Sequence, residues 1–164
     1  MVDAQNGQRA PASRYDARSS RKTKTQGGST MDNELNDVFP RGGKNPYSQY
    51  FVGQSYLNML STEQVGVGNV TFEPGCRNNW HIHHADEGGG QILLVTGGRG
   101  WYQEWGKPAR ALEQGDVVNI PANVKHWHGA GADSWFCHLV VEVPAVNGSN
   151  EWCEPVSDEE YAAL

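Results

Sequence analysis

The chain has 164 residues, 37% of them hydrophobic, and a formal net charge of −6 at pH 7, which suits a single globular domain. No apolar stretch approaches the ~20 residues needed to cross a bilayer, and no hydrophobic signal-peptide core is present. The acidic body also lacks the basic face that nucleic-acid backbones require. The three cysteines, Cys76, Cys137 and Cys153, are spaced too widely for a disulfide framework or a zinc site, which fits a reducing compartment. We therefore expect a cytoplasmic protein that binds neither membranes nor nucleic acid.

The first 30 residues differ in charge from the rest of the chain. They carry six basic and two acidic side chains, a net charge of +4, so the remaining residues carry −10 to reach the total of −6. This segment has almost no large apolar residues with which to pack. We predict a disordered basic tail over residues 1–30 and one folded domain over residues 31–164.

Short segments rich in β-forming residues follow one another along the folded part, with turn residues between them. The turns come from 20 glycines and 8 prolines, and the three glycines at 88–90 predict a loop over residues 86–90. Eight strands are predicted, over residues 50–60, 66–72, 79–83, 91–96, 100–105, 109–112, 116–120 and 136–143. This spacing is typical of an all-β antiparallel barrel or jelly roll.

The C-terminal residues carry a helix signal instead. Ser157 is followed three residues later by Glu160, which is the pattern of a capping box. The sequence therefore predicts a short helix over residues 158–164 that closes the β domain.

Five of the six histidines fall in two clusters, His81, His83, His84, His126 and His128. Residues two apart on a strand share a face, so His81 and His83 can direct two imidazoles to one point while His84 points away. His126 follows a predicted strand and a turn, and is placed to supply a third imidazole. Imidazole suits several divalent transition metals, so the ligands predict one metal ion without naming it.

Two glycine and histidine patterns resemble the motifs of the cupin superfamily. The first is Gly75, followed after five residues by residues 81–83, and the second runs from Gly115 through Pro121 to His126. The resemblance implies an antiparallel β-barrel (jelly roll) that holds one divalent metal on histidines and a fourth side chain.

More narrowly, the chain is similar to the small manganese-dependent cupin hydroxynitrile lyases over nearly everything after residue 50. The likeness includes residues 70–75, 91–96, 100–101, 125–129, 138–139 and 150–161. It implies manganese before Fe, Ni, Co or Zn, a small-molecule substrate and a homo-oligomer. The ligands it implies are His81, His83, Gln91 and His126.

The fourth ligand has two candidates, because seven residues separate His83 from Gln91, more than in that family. Gln91 begins a predicted strand and stands at the expected spacing before Gly98. Glu87 matches the spacing of the general cupin glutamate and offers a carboxylate, which would lower the net charge of the site. We favour Gln91.

Two further histidines are predicted to act as acid–base groups beside the metal. His128 lies two residues beyond His126, and His138 shares a strand face with Val140 and Glu142. Imidazole is suited to proton transfer near neutral pH. In the resembling lyases the histidine that matches His138 lies beside the substrate.

The predicted function is that of a metal-dependent enzyme acting on a small organic molecule, with C–C bond cleavage of the hydroxynitrile lyase kind. Gly68, Val70 and Phe72 are expected to form an apolar wall of its pocket. Two alternatives stay open, since one fold hosts many chemistries. One is a dioxygenase with Fe or Mn in the same ligands, and the other is a non-catalytic, metal-dependent small-molecule binding protein.

Overall fold

The computed structural model describes Leu35 and residues 38–164, so the predicted tail over residues 1–30 lies outside the described part of the chain. The described residues are mostly β structure, with a 3-10 helix at Ser48–Tyr50 and an α-helix, α1, at Asp158–Ala162. The strands in chain order are β1 Gly43–Lys44, β2 Phe51–Val52, β3 Ser55–Ser61, β4 Val67–Phe72, β5 Arg77–Asn78, β6 His81–His84, β7 Glu87–Gly88, β8 Gln91–Glu104, β9 Arg110–Glu113, β10 Val117–Ile120, β11 His126–Ala130, β12 Phe136–Glu142, β13 Ala145–Val146 and β14 Ser149–Trp152.

The strands pair antiparallel, and the long strand β8 is shared by two sheets. Its first half pairs with β10 and β12, and β12 continues through β4 to β3 and β1. Its second half pairs with β9 and β11, and β11 continues to β5 and β6, which carry β2 and β14. The curled sheet is a half-barrel of jelly-roll type with one short C-terminal helix, which confirms the predicted fold class.

β8 is one strand of 14 residues, whereas the sequence predicted two strands separated at Gly97 and Gly98. Gly98 has a φ of +71°, and a β-carbon there would lie 1.8 Å from the carbonyl oxygen of Trp135. Glycine lets β8 pass close to this neighbour, with a register shift against β12 between Cys137 and His138. The predicted break is wrong because these glycines bend the strand without ending it.

Three other predictions also differ from the structure. Residues 86–90, predicted as a loop, contain the short strand β7, which pairs with β13. The predicted strand over residues 50–60 is divided into β2 and β3 at Gly53, where φ is +86°. Neither β11 nor β14 was predicted, because their polar sequences lack a strand-like alternation and their neighbours in the sheet determine the conformation.

The main hydrophobic core draws residues from both sheets. Phe72, Leu93 and Phe136 have no exposed surface and form its centre. Truncating such a side chain to alanine costs about 3–5 kcal/mol, because the cavity left behind closes only in part. This packing holds the two sheets at the separation that the cavity between them requires.

The C-terminal segment packs on a second, smaller cluster around Trp80, Trp127 and Val156, all buried. α1 begins with the predicted capping box. The Ser157 side chain accepts a hydrogen bond from the backbone of Glu160, whose carboxylate accepts one from the backbone of Ser157. These reciprocal bonds satisfy amide groups that the first helical turn leaves unpaired, and the prediction of a capped C-terminal helix is confirmed.

Candidate metal centre

Strands β6 and β11 bring three histidines to one point. His81 and His83 share a face of β6, and His126 on β11 lies opposite His81 in the strand pairing. One ring nitrogen of each lies within 4.8 Å of the others. Trp80, just before β6, packs away from this point in the second hydrophobic cluster. The structure thus groups the three histidines that the sequence singled out.

Each of these rings is oriented by a hydrogen bond from its Nδ1 to an oxygen atom. The acceptors are the carbonyl oxygens of Asn79 for His81, at 2.9 Å, and of Val124 for His126, at 2.8 Å, and the Oδ1 of Asn150 for His83, at 2.7 Å. An oxygen acceptor requires the proton on Nδ1, which leaves the lone pair on Nε2. This is the arrangement of metal-binding histidines, whose second nitrogen donates to an oxygen.

The Nε2 atoms of His83 and His126 are buried and make no hydrogen bond of good geometry with a described residue, although the Gln91 side chain lies near enough to His83 to raise its pKa slightly against the effect of burial. A buried polar atom without a partner is costly, so each one calls for an explanation. A metal ion at the centre of the cluster would satisfy both lone pairs. The donor set therefore fits a divalent cation.

Burial also keeps these imidazoles in the neutral form that a metal needs. It lowers the pKa of His126 to about 4 and the pKa of His81 well below its usual value of 6.5. The pKa of His83 is also lowered, chiefly by burial. At neutral pH no proton competes with the cation for the three lone pairs.

The structure separates the two candidates for the fourth ligand. Gln91, the first residue of β8, is buried and lines the same cavity as His81 and His83. Glu87 lies on β7, paired with Val146, and is exposed. A side chain outside the cavity is poorly placed to complete the set, so Gln91 is the candidate that the fold brings to the three histidines.

The histidine cluster faces a cavity of about 410 Å³ between the sheets. His128 and His138, the predicted acid–base residues, also line it, with Nδ1 of His128 and Nε2 of His138 3.3 Å apart. Both rings are almost completely buried. Burial lowers the pKa of His138 to about 4, and burial together with the neighbouring histidines lowers that of His128 further below its usual value. The cavity thus has a pair of neutral imidazoles in contact with each other.

Asn78, which the sequence reasoning missed, holds His128 in this position. Its Oδ1 accepts a hydrogen bond from the backbone nitrogen of His128 at 2.9 Å. Its Nδ2 lies 3.1 and 3.4 Å from the two ring nitrogens. Because the Asn78 Nδ2 atom is nearly equidistant from both ring nitrogens of His128, it lies against the ring and is not in line with the lone pair of either nitrogen. The only signal in the sequence was its position inside the first motif, three residues before His81.

The walls of the cavity are apolar and aromatic. Gly68 and Val70 line it as predicted, whereas Phe72 packs behind it, with its ring centroid 5.6 Å from that of His138. The placement of Phe72 in the wall was wrong because its side chain belongs to the fully buried core. Trp152 of β14 was missed by the sequence reasoning. Its ring stacks on that of His81, with the two ring centroids 4.8 Å apart. No local pattern indicated this contact, since β14 reaches β6 only through the tertiary fold.

Glu142 lies at the rim of the cavity. It ends β12, where it pairs with Gln91 of β8, and its side chain is exposed while still lining the cavity. His138 and Val140 line the same cavity, so the predicted common face of this strand is confirmed.

Comparison with known proteins identifies the family. Residues 68–141 match the cupin domain model. The (R)-mandelonitrile lyase of Granulicella tundricola is 37% identical over 123 residues, which make up 73% of this chain and 90% of that protein. This chain is a cupin.

Solved structures resemble this cupin as well. A cupin-like protein from Thermotoga maritima is 44% identical to this chain, and the two structures superpose with a TM-score of 0.68. The match covers 78% of this chain and 96% of that protein's chain. A predicted oxalate decarboxylase from the same organism is 16% identical, with a TM-score of 0.54, over 61% of this chain and 89% of its own. At that identity the second likeness supports the cupin fold alone.

One position departs from the usual cupin motif. Asn123 stands where the family commonly has glycine, and its φ of 66° is left-handed. Asparagine adopts this region more readily than most residues. Its side chain also exchanges hydrogen bonds with the backbone of Ala85, at 2.9 and 3.2 Å. The cupin turn before His126 is therefore kept, and it is tied to the chain just after β6.

The described part of this cupin contains no helix that is both long and apolar enough to cross a membrane.

Proposed function

We propose that this cupin is a metal-dependent lyase that cleaves a carbon–carbon bond in a small hydroxynitrile. The observation that carries the proposal is the joint geometry of the cavity. Three oriented histidines leave lone pairs at one point, and two neutral, contacting imidazoles lie in the same cavity. The relative from Granulicella tundricola, named an (R)-mandelonitrile lyase, points to an aromatic cyanohydrin as the first compound to test.

His81, His83, His126 and Gln91 would hold the metal, and manganese is the ion we propose. A divalent cation in this set would act as a Lewis acid that polarises a substrate oxygen. Because histidine and glutamine ligands are all neutral, the full charge of the ion would remain to attract that oxygen. The same donors accept other first-row metals, so elemental analysis decides the identity.

The proton steps belong to His138 and His128. His138 or His128 would take the proton of the substrate hydroxyl, and the 3.3 Å contact between Nε2 of His138 and Nδ1 of His128 lets the two rings share the added charge. The O–H electron pair then forms the carbonyl bond, and the bonding pair of the broken C–C bond leaves with cyanide. Because the pKa of His138 is about 4, its protonated form is acidic enough to return the proton to cyanide. The products are an aldehyde and hydrogen cyanide.

The apolar walls support the choice of an aromatic substrate. Val70, Leu57 and Val140 line one part of the cavity, and Phe51 and Trp152 line another. Aromatic rings bury large apolar areas and prefer offset or edge contacts with one another. A phenyl group placed between these walls would leave the carbinol carbon next to the histidines.

The test is an assay of aldehyde and cyanide release from mandelonitrile, run beside an oxygen-uptake assay, on protein loaded with Mn or Fe. We expect cyanide release from the loaded wild type and none from His126→Ala, which should lose most of its metal. Oxygen uptake without cyanide release would support a dioxygenase instead. Activity in neither assay, with metal bound and a ligand that raises the melting temperature, would support a binding protein.

A further inference from the structure

A second cavity, of about 380 Å³, adjoins the metal cavity and has no assigned role. The two cavities share four lining residues, Gly66, His83, Glu142 and Asn150. We call the cavity at the histidines the inner cavity and the adjoining one the outer cavity. Because His83 and Glu142 border both cavities, groups bound in one cavity lie next to groups bound in the other.

The outer cavity is built from the links between strands. Gln64 comes from the turn between β3 and β4, Gly89 and Gly90 from the link before β8, and Gly148 from the turn between β13 and β14. Loops of this kind commonly carry binding residues on a rigid scaffold. The outer cavity adjoins the inner cavity and is lined by residues of these links, so it is suited to bind the part of a substrate that lies farther from the histidines.

Glu142 is the charged group at the junction of the two cavities. Its side chain lies against Gly66, where an added β-carbon would be 3.4 Å from Cγ of Glu142. The carboxylate makes no hydrogen bond with any described residue, and it acts electrostatically on His83, whose pKa it raises. It is therefore available to a ligand.

The other ionisable groups expected at a binding site are either already paired or absent from the lining of the outer cavity. His84 lines it, but its Nε2 lies 2.7 Å from a carboxylate oxygen of Glu151. Among the described residues that line either cavity, none is a lysine or an arginine. The outer cavity thus offers a free carboxylate and no cation to pair with an anion.

We propose that the outer cavity binds a hydrogen-bond-donating substituent, an ammonium or a hydroxyl group, on a substrate whose oxygen lies in the inner cavity. The inference rests on the proposed function in placing that oxygen at the metal centre. The substrate class is then an amino- or hydroxyl-substituted aryl carbinol. A carboxylated one is disfavoured because it would meet Glu142 without a compensating cation.

The experiment measures binding without turnover, so that a failure of the lyase assay leaves it interpretable. Three alcohols are titrated calorimetrically into the metal-loaded full-length protein. They are benzyl alcohol and its para-aminomethyl and para-carboxyl derivatives. We expect the aminomethyl compound to bind about fivefold more tightly than benzyl alcohol and the carboxyl compound about fivefold more weakly, the scale of an exposed charge pair. Both differences should shrink at high salt.

Variants of Glu142 test whether this residue causes the preference for the aminomethyl compound. Glu142→Gln should bring the three affinities to within about twofold, and Glu142→Lys should reverse their order. Glu63→Gln is the control. It removes a carboxylate from the β3–β4 turn, next to Gln64, but Glu63 does not line the outer cavity, so the order of affinities should stay unchanged. An amine preference that persists in Glu142→Gln would mean that the amine binds the metal and would overturn the proposal. Equal affinities in the wild type, or no detectable binding of the aminomethyl compound, would overturn it as well.

Discussion

At the residue scale, the five histidines of the site divide by what their rings contact. His81, His83 and His126 each donate from Nδ1 to an oxygen, whereas His128 and His138 contact each other. The first arrangement presents three lone pairs to a cation. In the proposed mechanism the second leaves two imidazoles to exchange a proton with a substrate, so that the proposed roles differ although the residue type is the same.

His138→Ala should keep the metal and lose cyanide-releasing activity by at least ~100-fold, the usual scale for a positioned acid or base. The metal content of the purified variant and its kcat are the two measurements. His84→Ala is the matched control, since His84 is partly exposed and paired with Glu151, and it should retain both. If His138→Ala loses its metal, or works as well as the wild type, then the role assigned to His138 is wrong.

Gln91→Ala should weaken metal binding by at least about tenfold, since even the loss of a group that only orients a ligand costs that much. Glu87→Ala should leave the affinity unchanged because Glu87 is exposed on β7. A competition titration with a metal chelator measures both. A larger loss in Glu87→Ala would make this an ordinary glutamate cupin and weaken the analogy with hydroxynitrile lyases.

At the element scale, β8 links the two sheets and carries Gln91 at its start. Its continuity depends on Gly98, because φ is +71° there and the chain passes close to the backbone of Trp135. The first half of β8 therefore aligns Gln91 with β12, and the second half aligns β11 and its histidines. One bent strand thus holds both sides of the candidate metal centre in register.

Gly98→Ala should destabilise the fold by more than ~3 kcal/mol, since the new β-carbon meets a backbone oxygen that cannot move without breaking the pairing. Gly106→Ala is the matched control, because Gly106 has a similar φ of +76° but no atom within 4 Å of the added carbon. It should cost only ~1–2 kcal/mol, the conformational penalty alone. Urea unfolding of both variants gives the comparison, and equal losses would show that the close approach at Gly98 is unimportant.

At the scale of the whole molecule, the buried histidines couple folding to pH. The pKa of each of the five histidines of the site is lowered by burial, to about 4 for His126 and His138. When the folded pKa lies below the unfolded one, the unfolded chain binds protons first as the pH falls. The contribution of these neutral histidines to the free energy of unfolding is therefore complete above pH ~6.5, and it is lost progressively as the pH falls toward ~4.

We expect the free energy of unfolding of the metal-free protein to fall steeply between pH 7 and pH 5. His138 alone would account for about 3 kcal/mol if titrated completely, from a pKa change from 6.5 to about 4. Urea titrations at a series of pH values measure the slope. His84→Ala should show the slope of the wild type, since His84 is partly exposed. A stability that is constant over this range would contradict the placement of these imidazoles in the core.

The sequence by itself determined what depends on near neighbours along the chain. His81 and His83 are two residues apart on a strand and must share a face, and Ser157 with Glu160 must cap a helix. Most strands were predicted because alternation and turn residues are local signals. The two histidine motifs were sufficient to place the chain among the cupins.

Only the tertiary structure decided which distant groups meet at the site. Gln91 enters the cavity and Glu87 does not, because β7 pairs with β13 at the surface while β8 pairs with β12. Trp152 and Asn78 reach the histidines through strands that carry no strand-like pattern of their own. Strand pairing between segments far apart in sequence is set by packing and backbone hydrogen bonds across the whole sheet, which no local pattern records.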